Sequence, residues 1–130
     1  MPTPLVSSGI LYFASGDGFA YAIDAQSGAQ RWKSDVRCID GVSSPLLAGG
    51  RLSFGGSHPD LFVALDAADG KVLWNRELAN GTPSGFGAAT AALAAGKIVV
   101  VEEVVKTGDV KAPAANRLFA LDPAAGKSAW

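Results

Sequence analysis

"YAIDAQSGAQRW" (21–32) returns twice, as "VALDAADGKVLW" (63–74) and "FALDPAAGKSAW" (119–130). Each copy has Ala two residues before Asp, Gly four residues after that Asp, and Trp four residues after the Gly. Three copies of this pattern in 130 residues mark a repeat protein, and the repeat decides the fold. The Asp markers stand at 24, 66 and 122, spaced by 42 and then 56 residues. A period near 42 suits a four-stranded propeller blade, with strands of about five residues joined by turns. The wider second spacing predicts an insertion, placed at 106–117.

The spacing predicts an all-β chain of about three four-stranded antiparallel blades, an incomplete propeller. Blade 1 takes 1–36, blade 2 takes 37–79 and blade 3 takes 80–130, with its last strand cut short at Trp130. Strands are expected at "PLVSS", "ILYFAS", "FAYAID" and "AQRWKSDV", then "SPLLAG", "RLSFGG", "DLFVALDA" and "KVLWNREL". The third set is "GAATAALAA", "KIVVVEEV", "RLFALD" and "KSAW". Apolar and β-branched runs broken by Gly, Pro, Asn and Asp are hairpin grammar. "AATAALAA" (88–95) has helical propensity, but it is too short to hold a helix alone and occupies an innermost-strand position.

Within the motif, the Asp suits a turn, where its carboxylate can accept backbone N–H groups. The Gly supplies positive φ and a bare backbone on which a ring can lie. Trp is the largest apolar body available, and its N–H needs a partner when buried. Ala22, Asp24, Gly28 and Trp32 therefore read as packing hardware, as do Ala64, Asp66, Gly70 and Trp74, and Ala120, Asp122, Gly126 and Trp130.

This pattern resembles the tryptophan-docking motif of the PQQ-like β-propeller repeat family. That family includes quinoprotein dehydrogenase propellers and BamB-type outer-membrane assembly lipoproteins. "SSPLLAGGRLSFGGS" (43–57) and the Lys after the motif Gly, Lys71 and Lys127, are similar too. The resemblance implies that each Trp stacks between its own Ala and the Gly of the next blade: Trp32 on Gly70, Trp74 on Gly126. It also implies a bacterial, periplasmic or cell-surface origin.

Composition bounds the function. A hydrophobic fraction of 48% with 18% charged residues belongs to a folded chain. A net charge of −1 offers no basic stripe for nucleic acid. No apolar run is long enough to insert into a membrane as a helix, and "MPTPLVSSG" has no signal-peptide pattern. Cys38 has no second cysteine to pair with in the chain.

Irregular loops should gather on one face, at 15–18, 33–43, 56–60, 79–87 and 106–117, and binding is expected there. Asp17, Asp40, His58 and Asp60 are the binding-face candidates. Cys38, Asp40, His58 and Asp60 form only a loose set for a metal, and no Ser has a His–Asp partnership. His58 reads as a turn residue, and Glu102–Glu103 as a solvated pair ending a strand. No catalytic, cofactor or metal residue is assigned.

The expected function is a non-catalytic scaffold that binds a protein or peptide and is completed by further blades or by self-association. The alternatives are part of a PQQ-dependent dehydrogenase, for which no vicinal Cys pair or calcium-ligand set is visible, and the ligand-sensing portion of a bacterial receptor.

Overall fold

The computed structural model describes residues 3–37, 43–56, 61–77, 84–85, 91–104 and 115–130. Among them are twelve strands and no helix. The first sheet is β1 (Leu5–Ser7), β2 (Ile10–Ala14), β3 (Phe19–Asp24) and β4 (Gln30–Asp35), hydrogen-bonded in chain order. The second repeats this with β5 (Leu46–Ala48), β6 (Arg51–Gly56), β7 (Leu61–Asp66) and β8 (Val72–Glu77). The third joins β9 (Ser84–Gly85) and β10 (Ala92–Ala94) to β11 (Lys97–Val104), which pairs with β12 (Ala115–Leu121). Every pairing is antiparallel.

The innermost hairpins explain themselves. Two-residue loops match the twist of the flanking strands in mirror-image turns, of which type I′ takes positive φ at both residues. Gly49–Gly50 does this at 56° and 73°, between the pair Ala48 and Arg51. Ala95 holds the same conformation at 49°, where its Cβ is strained.

Three details differ from the sequence reading. In the third sheet Ser84–Gly85, ahead of the expected 87–95 strand, also pair with β11: β9 with Glu103–Val104, and β10 with Lys97–Val99. Among the described residues of the expected 87–95 strand, β10 holds Ala92–Ala94. Ala115, Asn116 and Arg117, inside the expected insertion, pair with Val104, Glu103 and Glu102, so β12 starts earlier. Finally, the outer strands bulge beside each motif Ala. Ala22 pairs with Trp32 but Ile23 with Gln30, leaving Arg31 as the additional residue; Ala64 with Trp74 and Leu65 with Val72 leave Leu73.

The third motif begins the same outer pairing. Ala120 N–H donates to the Trp130 carbonyl at 2.9 Å, and Leu121 bridges to Ser128.

The sheets stack face to face in chain order, as propeller blades do. Tyr12, Ala14, Ala20, Ala22 and Trp32 of the first sheet meet Leu52, Phe54, Val63 and Leu65 of the second. Phe62 on the opposite face of the second sheet meets Ile98, Val100 and Leu121 of the third, with Trp74 alongside. The second sheet is thus covered on both faces, whereas each outer sheet is covered on one.

Candidate functional site

Three turns with one geometry hold the stack together. In each, the Gly N–H donates to the motif Asp carbonyl: Gly28 to Asp24 at 2.9 Å, Gly70 to Asp66 at 2.8 Å, Gly126 to Asp122 at 2.8 Å. The Asp N–H then bonds to the residue after the Gly, from Asp24 to Ala29, Asp66 to Lys71 and Asp122 to Lys127, each at 2.8 Å. The side chains close the turns as well. Asp66 Oδ1 accepts Ala68 N–H at 2.9 Å, and Asp122 Oδ1 accepts Ala124 N–H at 2.7 Å. All three glycines have φ near +70° (73°, 77° and 67°), where a side chain is strained.

Tryptophan crosses from one sheet to the next turn. Trp32 is 8% exposed, and its Nε1–H donates to the Ala67 carbonyl at 2.9 Å. Its ring lies on Gly70 so closely that a Cβ there would sit 2.5 Å from Trp32 Cε3. Trp74 repeats this on the third sheet, donating to the Pro123 carbonyl at 2.9 Å with its ring over Gly126. It is half-buried, less covered than Trp32. Ala22, Ala64 and Ala120 are fully buried beside these positions. Trp130 is 61% exposed.

The first turn adds charge. Asp24 Oδ1 accepts Ser27 N–H at 2.9 Å and Gln26 N–H at 3.0 Å, and Oδ2 pairs with Arg31 Nη2 at 3.0 Å. These donors, the Ser27 N–H foremost and then Arg31, hold its pKa at about 2, below the ordinary 3.8. Arg31 reaches the carboxylate because it is the bulged residue.

Asp17 is the one binding-face candidate among the described residues. It accepts Phe19 N–H at 3.0 Å and the Tyr21 hydroxyl. The Tyr21 bond is the main cause of a lowered Asp17 pKa and a raised Tyr21 pKa. Lys33 Nζ stands 4.0 Å from the Phe19 ring centre, and Tyr21 stacks on Phe13 at 5.1 Å. This cluster escaped the sequence reading; the alternation of Phe19, Tyr21 and Lys33 across paired strands is the signal that carries it. Cys38, Asp40, His58 and Asp60 lie outside the described residues, as do the side chains of Glu102 and Glu103.

The described donors do not fit a quinone and calcium site. Asp24, Asp66 and Asp122 are committed to their own turns, Asp17 to Tyr21 and Phe19, and no three metal-binding side chains converge among the described residues.

The family model described as "Outer membrane protein assembly factor BamB" matches residues 2–130. A tetrathionate hydrolase of Acidithiobacillus ferrooxidans is 27% identical over 100% of this chain and 26% of its own length. A quinoprotein ethanol dehydrogenase of Pseudomonas aeruginosa is 28% identical over 97% of this chain and 22% of its own. The outer membrane protein assembly factor BamB of Kangiella koreensis is 35% identical over 58% of this chain and 18% of its own. Among solved structures, the quinohemoprotein alcohol dehydrogenase of Comamonas testosteroni superimposes with a TM-score of 0.76 at 24% identity, over 99% of this chain and 20% of that one. BamB of Moraxella catarrhalis gives 0.65 at 18% identity, over 94% of this chain and 33% of that one. The chain spans about a quarter or less of the length of the curated relatives it matches.

These relatives correct the expectation of a chain that is not an enzyme, because those aligned over nearly all of it are enzymes by name. The physical reason is that the Asp–Gly–Trp motif builds blades whatever chemistry they surround, so a lack of visible catalytic residues in three blades says nothing about the reaction. On the full-length family match and the shared repeat, the chain belongs to the PQQ-like β-propeller family described by BamB.

Proposed function

We propose that these blades form part of the wall of a quinoprotein-type oxidoreductase propeller acting on a small alcohol. The observation that carries the reading is the 28% identity to a quinoprotein ethanol dehydrogenase over 97% of the chain. The contribution of this chain's own residues is rigidity: each sheet is clamped to the next by an indole hydrogen bond and a ring on glycine. Such a wall holds loops at fixed positions, and a fixed scaffold is what loop-borne chemistry needs. The family resemblance supports a cell-envelope location and blade boundaries near residues 36 and 79.

A second reading, a propeller surface that docks a protein partner, is favoured by the 35% identity to BamB over 58% of the chain. One chimera separates the two. Residues 1–130 replace the aligned segment of the Pseudomonas aeruginosa quinoprotein ethanol dehydrogenase. Retained quinone absorbance and ethanol-dependent dye reduction are expected. A chimera that is folded by circular dichroism and sedimentation but binds no quinone would overturn the oxidoreductase reading in favour of protein docking.

A further inference from the structure

We draw no further inference here: the strongest candidate, the Asp17–Tyr21–Lys33 side-chain cluster on the outward face of the first sheet, carries nothing because nothing in the structure shows what covers that face.

Discussion

Strands β3 and β7 occupy the same place in successive sheets, five residues of one burying what only alternate residues of the other bury. From Leu61 to Leu65 every side chain of β7 is buried. In β3 the small residues Ala20 and Ala22 are buried against the second sheet, while Phe19, Tyr21 and Ile23 are half-buried. The sequences carry the same difference. "LFVAL" is apolar throughout, as suits a strand covered on both faces, whereas "FAYAI" alternates large and small residues. The outward face of β3 also tolerates a phenol, an aspartate and a cation in one cluster. Stability in this stack should therefore concentrate in the second sheet.

The largest expected contrast lies between Phe62 and Leu118, which hold equivalent positions in β7 and β12. Phe62→Ala removes a fully buried ring and should cost about 3–5 kcal/mol. Leu118→Ala, at a position 53% exposed, should cost under about 1 kcal/mol. Urea unfolding at one protein concentration measures both, and similar costs would break the comparison.

Trp32→Phe sharpens it next. The substitution keeps an aromatic ring but leaves the buried Ala67 carbonyl without its donor, a loss of about 1–3 kcal/mol. Trp130→Phe, at an exposed position, should leave stability unchanged within about 0.5 kcal/mol.

The hairpins offer a smaller contrast. Gly49 and Ala95 occupy the same turn position, but only Ala95 has a Cβ at positive φ. Ala95→Gly should raise stability by about 1 kcal/mol in thermal melts, the relief of strain outweighing the added freedom of the unfolded chain.

The smallest effect is electrostatic. The folded Asp24 pKa, about 2, lies below its ordinary 3.8, so the unfolded chain binds more protons between those values. Its stabilising contribution is complete above about pH 4 and disappears as pH falls toward 2. The effect is modest because the carboxylate and Arg31 face solvent. Asp24→Asn should show a shallower loss of stability than wild type over this acid range, and parallel curves would remove Asp24 from the account.

Much of this architecture was legible because the repeat fixes spacing. An Asp, a Gly and a Trp at constant intervals specify a turn, a bare backbone and a ring, and the ring-on-glycine contacts follow at one repeat's distance. The carbonyl acceptors at Ala67 and Pro123 were not legible, since any residue supplies a carbonyl. Nor was the pairing of Ser84–Gly85 with β11, because a two-residue strand carries no alternation to read. The Asp17–Tyr21–Lys33 cluster depends on cross-strand register, which spacing within one strand does not give. The kinship with enzymes was not legible for a different reason: the motif serves the blade and is silent about what the loops surround.

The central claim is that a motif glycine is required because a tryptophan of the preceding sheet lies on it. Gly28 and Gly70 separate this from backbone strain, having φ of 73° and 77°. Only Gly70 has a ring over it. The decisive measurement is the unfolding free energy of Gly28→Ala and Gly70→Ala. Strain alone should cost Gly28→Ala about 1–2 kcal/mol. Gly70→Ala should cost a further 1–3 kcal/mol or so, as the methyl displaces the Trp32 ring. Equal costs at the two glycines would contradict the account.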